Sequence, residues 1–378
     1  MPADDENLLR DALEITLVPG IGLQAQSKLW SACPRVSGLF SRSAAELESW
    51  GIGADATSII ISRRYRPMAD EILEWAAKEQ CQLLLRGTRA YPRFLAEIHD
   101  PPLILYARGN LQALQEPNVA IVGTRRPTCY GVQMAEGLAS DLAERGICIT
   151  SGLARGIDAA AHRGCLDAGG RTIAVLGCGI DVVYPREHGQ LTRRIVEKGL
   201  LLSEFLPGTS PSPQNFPVRN RLISGLALGT LIIEASEYSG SLITARLAME
   251  QNREVFALPG NLTTPQSFGP NFLIKQGAKL VQSWRDVVEE FPPELRLDIL
   301  AREESRPPAE SELQFLTEEE TRLLDLLSTD QAMQFDRVYR ICGMEISRLT
   351  DLLLNLEMRG WVRQLPGNLY VRVARPPK

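Results

Sequence analysis

Phe216-Pro217-Val218-Arg219-Asn220-Arg221 puts two guanidinium groups, an amide and an aromatic ring within six residues. A guanidinium is a planar fork that pairs with phosphate oxygens, and a ring is a stacking surface for an unpaired base. Together they suit a flexible polyanion whose bases are open. The segment follows a Pro/Ser-rich loop at 207–213 and opens a helix. A second reading stands beside the first: a plain helix start, with Arg219 or Arg221 tied to a carboxylate such as Glu234 or Glu204.

Similar residues recur wherever a short apolar run ends. Gly123-Thr124-Arg125-Arg126-Pro127 closes one run. There Gly123 admits a close backbone approach and Arg125 offers a phosphate fork, or the segment is a turn with exposed arginines. Ser151-Gly152-Leu153-Ala154-Arg155-Gly156-Ile157-Asp158 leads into a helix, and such small residues let backbone N–H groups hold an anion. Asp158 equally suits a helix N-terminus by its charge alone. His162, one turn later, reads either as a structural histidine or as a ligand contact. Gly177-Cys178-Gly179 lacks the third glycine of a dinucleotide fingerprint. Glu234-Ala235 is followed by Ser239-Gly240-Ser241 and Thr244, another hydroxyl-rich helix start, and Leu258-Pro259-Gly260-Asn261 makes a tight turn. No Ser–His–Asp, Cys–His or paired-carboxylate arrangement stands out. The expectation is a binding site with no catalytic residue, no metal and no cofactor.

The elements that must position these residues follow from periodicity. Apolar runs at 119–123, 147–151, 172–177, 229–234 and 254–258 read as buried strands. Amphipathic stretches at 131–144, 157–168, 188–197, 222–228, 241–251 and 270–276 read as helices between them. That alternation predicts an α/β domain with a doubly wound parallel sheet, whose ligands lie beyond the carboxyl ends of the strands. Residues 1–79 read as a helical domain, broken at Val18-Pro19-Gly20-Ile21-Gly22. Residues 80–300 hold the sheet. Residues 301–314 are charged and proline-containing and read as a linker. Residues 315–378 offer helices at 318–327 and 345–359, with 337–341 a candidate short one. A hairpin follows about Pro366-Gly367-Asn368, giving a small winged-helix-like module.

Composition narrows the classes. The 378 residues are 44% hydrophobic and 23% charged, as in an ordinary globular protein. No apolar stretch is long enough for a membrane span. The seven cysteines are scattered without a CxxC pair, and only three histidines are present. These features fit a reducing cytoplasm and disfavour disulfide and zinc frameworks. The net charge of −5 argues against a broad coat on DNA phosphates. Residues 121–260 carry 14 Lys/Arg against 13 Asp/Glu, so any polyanion must be held by a few clustered arginines. Residues 315–374 carry seven Lys/Arg against nine Asp/Glu, which makes protein contact as good a reading there as DNA contact.

Taken in order, GTRRPTCYG, SGLARGIDAAAH, FPVRNRLISGL, EASEYSGSLITA and VFALPGN resemble the DNA-processing protein A (DprA/Smf) family over roughly residues 80–290. Tyr91-Pro92 and Asp100-Pro101-Pro102 fit its entry segment. The resemblance implies a Rossmann-like domain, flanked by a SAM-like or helix-hairpin-helix segment and a winged-helix domain. It implies a cytoplasmic homodimer that binds and protects single-stranded DNA during natural transformation and loads the recombinase RecA onto it. The family's residues correspond here to Arg125, to Phe216, Arg219, Asn220 and Arg221, and to Ser151, Gly152, Gly156 and Asp158. Gly123, Thr124, Arg155, Ser239, Gly240, Ser241 and Thr244 complete the candidate DNA-binding surface.

Two other readings remain. One is a nucleotide phosphoribohydrolase on a similar scaffold, with Glu234 as its leading acid, although the glycine pattern of such enzymes after Pro259-Gly260 is missing. The other is a scaffold that meets DNA only through partners.

Overall fold

The computed structural model describes residues 3–33, 36–304, 316–329 and 331–373. Five helices come first: α1 (Ala3–Leu17), α2 (Leu23–Ala32), α3 (Ala44–Ser49), α4 (Ala54–Ser62) and α5 (Arg66–Lys78). The strands β1 (Gln82–Leu85) and β2 (Ile104–Gly109) flank the short helix α6 (Arg93–Ala96). The alternating part then runs β3 (Asn118–Gly123), α7 (Cys129–Ala143), β4 (Cys148–Ser151), α8 (Ile157–Asp167), β5 (Thr172–Val175), α9 (Gly189–Lys198) and β6 (Leu200–Ser203). It continues α10 (Asn215–Leu226), β7 (Gly229–Ile233), α11 (Gly240–Glu250), β8 (Glu254–Ala257), α12 (Phe268–Lys275) and β9 (Lys279–Leu280). Helices α13 (Trp284–Val288) and α14 (Pro293–Glu304) close it.

The nine strands form one sheet in the order β1-β2-β6-β5-β4-β3-β7-β8-β9. From β6 to β9 every pairing is parallel, as the alternating pattern predicts. The sheet as a whole is mixed, because β2 runs antiparallel to both β1 and β6. These three strands were not among the expected ones. β1 and β2 lie ahead of the strand–helix rhythm, whereas β6 sits within it, between α9 and α10, as a run of only four residues.

The central strands are buried on both faces, and alternate side chains pack on opposite sides of the sheet. Val119 and Ile121 of β3 pack with Leu138 and Leu142 of α7 and Ile157 of α8. Ala120 and Val122 pack with Leu222 and Ile223 of α10 and Ala245 of α11. The N-terminal helices join this body directly. Leu13, Ile15, Leu29, Leu47 and Ile60 lie in one buried cluster with Tyr106, Ala174, Leu176 and Leu201. At about 1.5–3 kcal/mol for each large aliphatic side chain fully buried, this shared core is a major part of the protein's stability.

Two expected boundaries move. Helix α10 starts at Asn215, so the Phe216–Arg221 motif lies inside its first turns rather than ahead of the helix. Residues 301–304, expected as linker, are the end of α14; the expected linker residues 305–314 lie outside the described residues.

The last segment comprises α15 (Glu318–Leu326), β10 (Met333–Gln334), α16 (Phe335–Cys342), α17 (Ile346–Met358), β11 (Val362–Leu365) and β12 (Leu369–Arg372). Its three strands pair in the order β10-β12-β11. The predicted hairpin turns at Gly367 and Asn368, both with positive φ. Helix α16 spans Phe335–Cys342, longer than the expected 337–341.

Candidate nucleic-acid interface

Strand β3 leads through α7 to β4 on one side, while β6 crosses back through α10 to β7 on the other. The strand order reverses about β3, and a crevice opens there beyond the strand ends, as such a switch point dictates. The crevice is an open cleft of about 590 Å³. Of the predicted residues, Gly123, Thr124, Arg125, Asp158, Phe216, Arg219, Asn220, Ser239, Gly240, Ser241 and Thr244 line it.

Its floor begins at Gly123. A Cβ there would meet the Ile233 carbonyl oxygen at 1.9 Å, so only glycine lets β3 and β7 end side by side. The exposed side chains of Arg125 and Arg126 follow. No ion pair engages either among the described residues. The Arg125 guanidinium carbon stands 5.1 Å from the Phe216 ring centroid. Across the cleft, the Ser239 hydroxyl caps α11 by accepting from the Ser241 N–H at 3.4 Å.

The other two arginines are turned inward, as the second reading of this motif describes, although Arg219 still borders the cleft. Arg219 is 3% exposed. It donates to the carbonyl oxygens of Gly152, at 2.7 Å, and Val175, at 2.5 Å, tying the ends of β4 and β5 to α10. Burial pushes its guanidinium down to about 10, and the nearby Asp158 carboxylate opposes that shift. Arg221 pairs with Glu204 and lies 3.2 Å from Asp100. This is the carboxylate-tied arginine of the second reading. Burial pushes Glu204 up to about 7 even beside that cation. The physical reason is helical phase. With the helix starting at Asn215, positions 219 and 221 fall on buried faces of α10, while Asn220 looks into the cleft.

The carboxylates at the cleft are also engaged. Asp158 accepts from the N–H groups of Gly152 and Ala154 at 3.1 and 3.3 Å, and burial raises its pKa. Glu234 sits in a left-handed backbone conformation. Its carboxylate accepts from the Thr128 N–H at 2.8 Å and from the Thr128 hydroxyl, at the N-terminus of α7. An acid held this way by a helix start is poorly placed to attack or protonate a substrate, which removes the main support for the hydrolase reading.

Five predicted residues lie away from the cleft lining, Arg221 among them. Ser151 is fully buried and donates to the Ile121 carbonyl. Gly152 lies behind Arg219, and Gly156 turns the chain into α8 with φ 78°. Arg155 is exposed and paired with Glu187. His162 is completely buried, with Nδ1 2.6 Å from the Thr172 hydroxyl. That hydroxyl donates to the Ile149 carbonyl at 2.5 Å, so it accepts from His162, whose proton therefore sits on Nδ1. Of the two readings of His162, the structure supports the structural one.

Sequence reasoning missed Tyr184, Arg126, Pro211 and Pro213 as lining residues. Tyr184 lies in the loop after β5, a strand-end position where an aromatic residue was a readable signal. Among the described residues, no group of three or more His, Cys, Asp or Glu could hold a metal ion. Among them too, no helix is long and apolar enough to cross a membrane.

A mostly parallel α/β sheet with an arginine-lined cleft at its switch point defines a class of ligand-binding proteins, and the sequence matches give the family. The model of DNA recombination-mediator protein A matches residues 82–292, and that of the DprA winged helix domain matches residues 304–368. The chain belongs to the DNA recombination-mediator protein A (DprA) family. It is 39% identical to Protein Smf of Escherichia coli over 82% of each chain. It is 42% identical to the DNA processing protein DprA of Bacillus subtilis, over 61% of this chain and 77% of the relative. The DprA structure from Streptococcus pneumoniae superposes with a TM-score of 0.66 at 36% identity, covering 75% of this chain and 98% of that one. A DprA structure from Helicobacter pylori, described for its single-stranded DNA binding mode, gives 0.51 at 32% identity, covering 60% and 98%.

Proposed function

We propose that this protein binds single-stranded DNA in the switch-point cleft without catalysing a reaction, and acts as a recombination mediator that protects incoming strands and delivers RecA onto them. The observation that carries the reading is the pairing state of the cleft's charges. Arg125 and Arg126 are exposed and without ion pairs among the described residues, while Asp158 and Glu234 are occupied by backbone and hydroxyl donors. A polyanion therefore meets free cations, and a scissile bond meets no ready acid or base. The openness of the cleft suits a flexible strand whose bases can turn inward. The relative from Helicobacter pylori, named for binding single-stranded DNA, supports the same ligand. A homodimer in the cytoplasm completes the proposal.

The test is a gel-shift comparison of single- and double-stranded oligonucleotides of equal length, with a parallel incubation against nucleoside monophosphates. Strong preference for the single strand and no free base released is the expected outcome. Equal binding to both forms, or release of base, overturns it. RecA delivery is tested by filament assembly on coated DNA, where the protein shortens the lag.

A further inference from the structure

We infer that Tyr184 is the base-stacking residue of the cleft and that Phe216 is its pedestal, an inference that rests on the single-strand reading above. The sequence motif points to Phe216 as the stacking ring, but its surroundings are already filled. A Cβ on Gly177 would lie 2.8 Å from its Cδ1, so the ring is pressed onto the backbone at the end of β5. The guanidinium carbons of Arg125 and Arg219 stand 5.1 and 5.9 Å from its centroid. Tyr184 packs beside it at 5.7 Å between centroids, with the ring planes 30° apart. Phe216 is half-buried by these neighbours.

Tyr184 has the opposite character. It is 37% exposed and lines the cleft. The side chains thus run Arg125, Phe216, Tyr184, with a cation free of ion pairs among the described residues at one end and an open ring at the other. A strand passing along this ridge can place a phosphate near Arg125 and lay one base on Tyr184. Stacking of this kind accepts any unpaired base and refuses a base locked in a duplex, so Tyr184 contributes to the choice of single over double strand.

The experiment measures oligonucleotide affinity and its salt dependence for wild type, Tyr184→Ala, Tyr184→Phe and Phe216→Leu, with a strand carrying the fluorescent base 2-aminopurine. Thermal unfolding confirms that each variant is folded. Tyr184→Ala should lose roughly 5- to 100-fold in single-strand affinity and much of the fluorescence quenching. Its slope of log affinity against log salt should match wild type, because no phosphate contact is removed. Tyr184→Phe should behave as wild type, and Phe216→Leu should lose less than Tyr184→Ala. Wild-type affinity in Tyr184→Ala overturns the inference, as does equal loss in Tyr184→Phe or a larger loss in Phe216→Leu. Failure of the wild type to bind a single strand at all overturns the parent reading instead, and shows itself before any variant is compared.

Discussion

Arg219 and Arg221 carry the most conspicuous charges in the sequence, yet their work is to brace the cleft walls. Removing a buried guanidinium strands what it was paired with. Arg219→Ala leaves two strand-end carbonyls and Asp158 without their cation, and Arg221→Ala leaves Glu204 and Asp100 facing each other. Breaking the buried Arg221 ion pair costs about 3–5 kcal/mol, and leaving the buried carbonyls held by Arg219 unpaired costs about 1–3 kcal/mol each, so each variant should unfold at a markedly lower temperature in calorimetry. A melt within a degree of wild type would contradict the placement. His162 makes a pH prediction. Complete burial pushes it down to about 3, against an ordinary 6.5. Between those values the unfolded chain binds a proton there that the folded chain refuses. Stability contributed at this site is therefore intact above pH 6.5 and falls as pH drops towards 3. From pH 7.5 to 5 the loss is about 2 kcal/mol, and it should be absent in His162→Leu when urea unfolding is compared at the two pH values. Equal pH dependence in both proteins would show that the imidazole protonates freely when folded.

At the level of elements, the path of α10 decides what the cleft presents. Its first turn carries Phe216 onto the bare backbone of Gly177. Gly177→Val should push the ring outward, lowering single-strand affinity while the helical circular dichroism stays that of wild type. Unchanged affinity would mean that the ring is not held by this contact. The central strands and their helices were legible in the sequence because each buried run is followed by a helical period. Strands β1 and β2 were not, because they precede the strand–helix alternation, and β6 and the two-residue β9 were missed as well. The gathering of Gly123, Arg125, Phe216 and Ser239 at one rim was legible from the rule that ligands sit beyond strand carboxyl ends. The inward turn of Arg219 and Arg221 was not. It depends on where α10 starts, and a shift of several residues rotates which side chains face the core. Glu204, the partner of Arg221, was readable only as one candidate among several, since pairing across 17 residues is fixed by tertiary packing.

For the whole molecule, the N-terminal helices and the sheet stand or fall together. A chain beginning at residue 80 exposes the apolar cluster that Leu13, Ile15, Leu29 and Ile60 now cover. It should lose cooperative thermal unfolding and bind a hydrophobic dye. A truncated protein that melts as wild type would show that the helices form a separate domain. The winged-helix segment touches the sheet domain lightly by comparison, through Arg363 to Glu136 at 3.3 Å and Gln133 to the Arg372 carbonyl at 3.3 Å. The first is a surface ion pair, worth about 0–1 kcal/mol, and the second is a single part-buried hydrogen bond. The net charge of −5 leaves the cleft arginines to act locally. The most direct measurement is therefore the salt dependence of single-strand affinity in wild type and in Arg125→Ala with Arg126→Ala. Each phosphate contact contributes about 0.7 to the slope of log affinity against log salt, so the double variant should bind more weakly and flatten the slope by about 1.4. An unchanged slope and affinity in a folded double variant would place the strand elsewhere and contradict the account.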